Sequence, residues 1–202
     1  MSTPPACPDC PLAPCPFAPK RRQPGEVLHV EGGEATHVWY LRRGTVVLSR
    51  AADADQPPLA RSLRREGAFL GLDALVTPQY RSSARVVGDA VVCRGTRDAV
   101  DAWLGPASPA RSVVASLLEA DEPVASGPRE GRALARLARW LVTQGAPPSA
   151  LKRRQLAELL GMTPETLSRN LARLAGAGAI RLGRRRLEIA DAARLEAAAR
   201  DV

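Results

Sequence analysis

The chain has 202 residues, a net charge of +8, 45% hydrophobic residues and four cysteines. That apolar content supplies real cores and excludes wholesale disorder, and the length suits one large domain or two small ones. No apolar run approaches the roughly eighteen residues needed to cross a membrane, and the N-terminus lacks a charged segment followed by an apolar core. A cytosolic protein with no membrane partner is therefore expected. There, cysteines hold metal or do redox work more often than they form structural disulfides. The pI near 10.3 fits a polyanion partner. The clustering of Lys and Arg between Lys152 and Arg186, where only Glu158 and Glu165 oppose them, is the sharper sign.

The first nineteen residues, MSTPPACPDCPLAPCPFAP, hold seven prolines, which exclude an ordinary helix. Cys7, Cys10 and Cys15 fall in a C-x2-C-x4-C spacing. A tight turn can point two such sulfurs at one centre, and thiolates select zinc or iron–sulfur clusters. Three thiols are one short of the usual four, and the remaining cysteine is the distant Cys93. The alternative is a tail with incidental cysteines.

From Gln23 to Gly95 the pattern predicts a β-barrel. Short strands are expected over Glu26 to Val30, Val38 to Leu41, Thr45 to Arg50, Ala60 to Leu63, Ser82 to Val87 and Ala90 to Arg94, with glycines at the corners. Trp39 and Tyr40 read as packing residues. His29 and His37 could in principle ligate a haem, but a lone histidine is more often structural. Beyond Trp103 the pattern turns helical, over Ala110 to Ala120 and Glu130 to Thr143. DEPVASGP interrupts the two with Pro123, Gly127 and Pro128. Leu134, Leu137, Trp140 and Leu141 would form a seam against the barrel, a partner subunit or the C-terminal region.

The stretch from Leu151 to Ile189 carries the strongest signal. A helix over Lys152 to Leu160 ends at Gly161, and Thr163 caps a second helix with Pro164 at its first position. At about 100° per residue, Leu167, Leu171 and Leu174 share one face. Glu165, Ser168, Arg169 and Arg173 share the opposite one, and these residue types read base edges. Ile180 and Leu182, then Leu187 and Ile189, flank a tip containing Arg184, Arg185 and Arg186. Such a hairpin suits a phosphate backbone. The whole is a winged helix-turn-helix.

Barrel, connecting helices and terminal winged helix-turn-helix resemble the CRP/FNR family of bacterial transcription regulators. QLAELLGMTPETLSRNLARLAGAGAI carries the resemblance most firmly, and VWYLRRGTVVLSR is similar to the family's barrel hairpin. The resemblance implies an α+β fold: a cyclic-nucleotide-binding-like double-stranded β-helix (jelly roll) over residues 23–105 after a cysteine-rich segment 1–22. A connecting dimerisation region over 106–145 and a DNA-binding domain over 146–202 would follow. It also implies a homodimer on double-stranded DNA that contacts RNA polymerase.

ETLSR resembles the E-x-x-S-R recognition pattern of the FNR branch, which implies that Glu165, Ser168 and Arg169 read a TTGAT-like half-site. The same branch implies a four-iron four-sulfur (4Fe-4S) cluster on Cys7, Cys10, Cys15 and Cys93, sensitive to oxygen or nitric oxide. A two-iron cluster (2Fe-2S), zinc or a dithiol switch are the alternatives. The cysteine spacing is one residue shorter than the commonest form of that branch, and the helix expected between the cysteines and the barrel is almost absent. The nucleotide-sensing branch fits less well: Leu72 stands where its acidic residue would follow Gly71, although Arg81, Ser82 and Ser83 are similar to its Arg-Ser. No nucleophile–base arrangement and no phosphate-cradling loop with Lys is present, so no enzyme is expected.

Overall fold

The computed structural model describes residues 15–51, 59–105, 133–183 and 186–200. Cys7, Cys10, Arg184 and Arg185, the helix expected over 110–120 and the DEPVASGP break lie outside the described residues. The chain divides into two compact units.

The strands are β1 (Ala18–Arg22), β2 (Val27–His29), β3 (His37–Arg43), β4 (Thr45–Arg50), β5 (Leu59–Arg65), β6 (Phe69–Leu70), β7 (Ser83–Val86) and β8 (Ala90–Thr96), all in the first unit except residues 59–62 of β5, which group with the second. They form two four-stranded sheets, in the orders β1-β8-β3-β6 and β2-β7-β4-β5. Val38, Leu41, Val46, Val86 and Val92 form the centre of the core. Gly44 joins β3 to β4 at φ +107°, and a Cβ there would lie 2.7 Å from the Cβ of Ala90, so both the turn and the close approach require glycine.

Six strands agree with the sequence expectation to within a few residues; β1 and β6 were not expected. Residues 18–22 read as part of a cysteine-rich tail, yet they pair antiparallel with β8, Pro19 opposite Cys93 and Lys20 opposite Val92. Their side chains are mostly exposed. An exposed, Pro-containing strand has no alternation to detect, and its pairing comes from the neighbouring edge. A 3-10 turn, Leu72–Leu75, follows β6. Helix α1, Arg97–Leu104, starts ahead of the helical region expected beyond Trp103: the Thr96 hydroxyl accepts from the Ala99 N–H at 3.3 Å and opens the helix.

The second unit holds α2 (Ala133–Gln144), α3 (Arg153–Leu159), α4 (Pro164–Gly176), the hairpin β9 (Ile180–Leu182) and β10 (Leu187–Ile189), and α5 (Ala192–Arg200). Leu137 and Leu141 of α2 are buried with Leu156, Leu167, Leu171, Leu174, Ile180 and Leu195, while Leu134 and Trp140 are partly buried against the same cluster. The seam left open between three partners thus faces the helix-turn-helix, and α2 belongs to that domain's core. Helix α5, unexpected from its alanine-rich sequence, contributes only Leu195 to the fully buried set.

Two expectations follow. Leu137→Ala, at a fully buried site, should lower unfolding free energy by about 2–5 kcal/mol through the cavity it leaves, read from urea transitions followed by circular dichroism. His29 is buried, and desolvation lowers its pKa below the ordinary 6.5, opposed in part by the Asp73 carboxylate and the Ser82 backbone. The unfolded chain then binds a proton that the native imidazole refuses. Stability from this residue is full above pH 6.5 and declines as pH falls through that value. The urea midpoint should drop more between about pH 7.5 and about pH 5.5 in the native protein than in His29→Gln; parallel profiles would contradict this.

Candidate functional site

The helix-turn-helix is fastened at each backbone end. Lys152 opens α3, its N–H donating to the Gln155 side chain at 3.0 Å. Gly161 adopts φ +59° after the helix, the left-handed geometry that closes a helix and favours glycine. Arg136, which the sequence reading did not single out, reaches from α2: its Nε donates to the Leu160 carbonyl at 3.3 Å and its Nη2 to the Gly161 carbonyl at 3.5 Å. It thereby satisfies carbonyls left over at the end of α3. Thr163 accepts from the Thr166 N–H at 3.2 Å, and Pro164 takes the first helical position as expected.

On α4, Leu167, Leu171 and Leu174 are buried, and Glu165, Ser168, Arg169 and Arg173 are all exposed. Glu165 is held below the usual carboxylate range, first by hydrogen bonding to its own backbone N–H, then by the Thr163 hydroxyl and the nearby Arg169. It is ionised at neutral pH and can only accept. Arg169 Nη2 lies 3.4 Å from the Thr166 hydroxyl. Asn170 is buried on this helix with its Nδ2 unpaired among the described residues. The sequence gives no sign of this, because the position sits between an exposed arginine and a core leucine.

In the wing, Leu187 pairs with Leu182 and Glu188 with Arg181, and the Gly183 N–H donates to the Arg186 carbonyl at 2.8 Å. Arg181 and Arg186 are exposed. Arg194 braces the hairpin's approach by donating to the Ala177 carbonyl at 2.8 Å. One surface thus joins an exposed acid, a hydroxyl and several guanidinium groups near a helix N-terminus, the donor and acceptor set suited to duplex DNA.

The second candidate is the thiol face of the barrel. Cys93 is buried on β8, opposite Tyr40 of β3 and Pro19 of β1. Two residues before Pro19, the Phe17 ring sits against Gly95, where a Cβ would be 3.0 Å from Phe17 and from Val100. Phe17 also lies 6.1 Å from both Phe69 and Trp103, centroid to centroid. Cys15 packs against the same cluster, its Sγ 3.7 Å from the Phe17 carbonyl. Pro19 pairs directly with Cys93 and Phe17 packs against Gly95, so Phe17 and Pro19 lie on the face that carries Cys93. Three residues lie between Cys15 and Pro19, the partner of Cys93, so at most about 14 Å of chain spans the four steps. Two of the four expected ligands, Cys15 and Cys93, belong to the barrel's core cluster, and the other two lie five and eight positions before Cys15 in the sequence. Thiolates are the ligand type that iron–sulfur centres and zinc take, and of the four only Cys15 and Cys93 are among the described residues. Among the described residues, no group of three metal-ligating side chains is assembled.

A third region, around Leu72 and Arg81, is where the nucleotide-sensing branch would place its acidic residue and Arg-Ser. A cavity of about 110 Å3 is bordered by Arg50, Leu72, Arg81 and Ser82. Leu72 offers no acceptor there. The neighbouring Asp73 is buried and accepts from the Arg81 N–H at 2.6 Å, so its carboxylate is used to hold the loop. Among the described residues, no helix is long and apolar enough to cross a membrane.

Comparison with known proteins agrees with this division. Residues 19–105 match the cyclic nucleotide-binding domain, and residues 135–198 match the Crp-like helix-turn-helix domain. No curated protein matches the sequence. Among solved structures, FixK2 from Bradyrhizobium japonicum is similar at a TM-score of 0.70 and 20% identity, over 90% of this chain and 96% of that one. A CRP-family transcriptional regulator from Thermus thermophilus is similar at 0.70 and 23%, over 89% and 96%. A CooA mutant from Carboxydothermus hydrogenoformans is similar at 0.63 and 20%, over 90% and 87%. At these identities the likeness is one of fold. The two domain matches, in this order and over most of its length, are what show that the chain belongs to the CRP/FNR family of DNA-binding transcription regulators.

Proposed function

We propose that this regulator binds a TTGAT-like palindromic site as a homodimer, and that a metal centre on Cys7, Cys10, Cys15 and Cys93 controls its DNA affinity in response to oxygen or nitric oxide. The observation that carries the sensing half is the β1/β8 ladder, which tethers the cysteine-bearing segment to the strand of Cys93. The reading half rests on the exposed polar face of α4. Glu165 accepts from cytosine N4, Arg169 donates to guanine O6 and N7, and Ser168 meets either kind of base. Arg173, Arg181, Arg184, Arg185 and Arg186 neutralise phosphates, and Thr163 with the N-terminus of α4 lies where a phosphate oxygen is favoured.

An iron–sulfur cluster, when bound, supplies a centre whose integrity depends on oxygen or nitric oxide. The chain's own part is to hold the thiols. Cys93 is fixed in a packed strand, and Cys15 lies ahead of β1 with its Sγ 3.7 Å from the Phe17 carbonyl. Phe17, clamped among Phe69, Trp103 and Gly95, fixes where the cysteine segment leaves the barrel. A change at the thiols is therefore felt first by Phe17 and the first turns of α1. Contacts with RNA polymerase complete the role of a regulator that acts on transcription rather than as an enzyme.

Arg169→Ala should weaken binding to the preferred duplex by about 1–3 kcal/mol and relax base preference, whereas Arg186→Ala should weaken preferred and scrambled duplexes alike and reduce the salt slope by about 1. Fluorescence anisotropy at several salt concentrations reads both, and identical behaviour of the two variants would remove the division between reading and anchoring residues. Anaerobic reconstitution with iron and sulfide should give a broad visible absorption that bleaches in air and is lost in Cys93→Ser. Colourless protein with zinc bound would favour the zinc alternative. Unchanged DNA binding with all four cysteines replaced by alanine would show a regulator that senses nothing through them.

A further inference from the structure

Both helices of the helix-turn-helix end in the same way. At the end of α3 the Gly161 N–H donates to the Glu158 carbonyl at 3.1 Å, and the Met162 N–H to that of Ala157 at 3.0 Å. At the end of α4 the Gly178 N–H donates to the Ala175 carbonyl at 2.9 Å, and the Ala179 N–H to that of Leu174 at 3.0 Å. Each is a Schellman closure around a left-handed glycine, and each satisfies two of the carbonyls that a helix leaves over. The carbonyls of the capping residues themselves, Leu160 and Ala177, find no partner inside these closures.

Each of those two carbonyls is taken by an arginine from outside the motif. Arg136 of α2 donates from Nε to the Leu160 carbonyl at 3.3 Å and from Nη2 to the Gly161 carbonyl at 3.5 Å. Arg194 of α5 donates from Nη1 to the Ala177 carbonyl at 2.8 Å. Asp191 orients Arg194, its carboxylate lying 3.2 Å from Nε and accepting the Arg194 backbone N–H at 3.1 Å. A Cβ at position 178 would lie 2.8 Å from the same Nη1, so Gly178 serves the close approach as well as the turn. Both guanidinium groups also meet the negative end of a helix dipole.

The two arginines stand on a common frame. Leu137 and Leu141 of α2 and Leu195 of α5 are buried in one core, and Arg139 of α2 donates to the Ala199 carbonyl of α5 at 3.3 Å. Helix α4 starts just beyond the turn that Arg136 holds and ends at the carbonyl that Arg194 holds. It is therefore fastened at both ends to a pair of packed helices, neither of which carries Glu165, Ser168 or Arg169. Hydrogen bonds to base edges are directional and weaken steeply when donor and acceptor are misaligned, so the angle of α4 matters to discrimination.

We propose that Arg136 and Arg194 are positioning residues for sequence recognition: they hold the two ends of α4 to the α2–α5 frame and so set how sharply it discriminates bases, without touching DNA themselves. This rests on the reading of α4 as the helix that meets base edges, and it is independent of the metal centre.

The test binds the full-length protein, handled anaerobically, to a randomised duplex pool and sequences what is retained. Affinities for the most enriched duplex and for its scrambled counterpart are then measured by anisotropy at several salt concentrations. Arg136→Gln and Arg194→Gln should each weaken the enriched duplex by about three- to tenfold and the scrambled one by less than about twofold. The salt slope should not move, because neither side chain meets a phosphate. Arg136→Lys, which keeps the charge and one donor, should fall between the native protein and Arg136→Gln. Equal losses on both duplexes with the slope reduced by about 1 would make these residues phosphate contacts. An unchanged ratio of enriched to scrambled affinity, whatever the urea midpoint, would leave them a structural role alone; either result overturns the proposal. Arg194→Gln, at a side chain 63% exposed, keeps the test decisive if the Arg136 variants do not fold. Arg169→Ala, run in parallel, separates the two claims. If it too leaves the ratio unchanged, α4 is not the reading helix; if it lowers the ratio while the two Gln variants do not, only the positioning role falls.

Discussion

The backbone pairing between β1 and β8 is the constraint on which the barrel's functional architecture depends. Without β1, β8 would present an unpaired row of N–H and C=O groups at the sheet edge. With it, β8 is flanked on both sides, and Cys93 becomes a central rather than an edge residue. The register decides more than stability. Because side chains alternate with a period of two, a slip of one residue would exchange the faces of β1 and turn Pro19 away from Cys93. Phe17 locks the register, since its ring occupies the space that any side chain at position 95 would need.

The same economy appears in the DNA-binding unit. An apolar stripe on α4 packs against α2 and α3, so its opposite face is presented in a fixed orientation. Arg136 secures the turn between α3 and α4 from outside the motif, which ties the recognition surface to α2. The carboxylate of Glu165 is kept ionised by its backbone N–H, the Thr163 hydroxyl and Arg169, so on this exposed face it can only accept hydrogen bonds.

The barrel carries its polar atoms unevenly. In the cassette, Asp73 spends its carboxylate on the Arg81 backbone and the loop is closed by its own interactions. Within the barrel, Trp39 Nε1 and Arg22 Nε are buried without a hydrogen-bond partner among the described residues, beside a ring cluster of His29, Trp39 and Tyr80.

The helix-turn-helix was legible because its physics is local. Gly161, Thr163 and Pro164 dictate where one helix stops and the next starts, and leucines at helical spacing define the buried face within a single element. Six of the barrel strands, β2, β3, β4, β5, β7 and β8, were legible for the same reason, through alternation and turn residues. By itself, then, the sequence determined the order of domains, the recognition helix and its exposed residues, and the four thiols as a candidate set. Only the tertiary structure decided that an exposed, proline-bearing segment becomes β1, that α2 seals the DNA-binding core, that Arg136 caps α3, and that His29, Trp39 and Tyr80 gather into one ring cluster. Each of these arises from residues far apart in the chain, where the deciding energy is an edge paired, a carbonyl satisfied or a ring buried by a distant partner, and no local pattern encodes that partner.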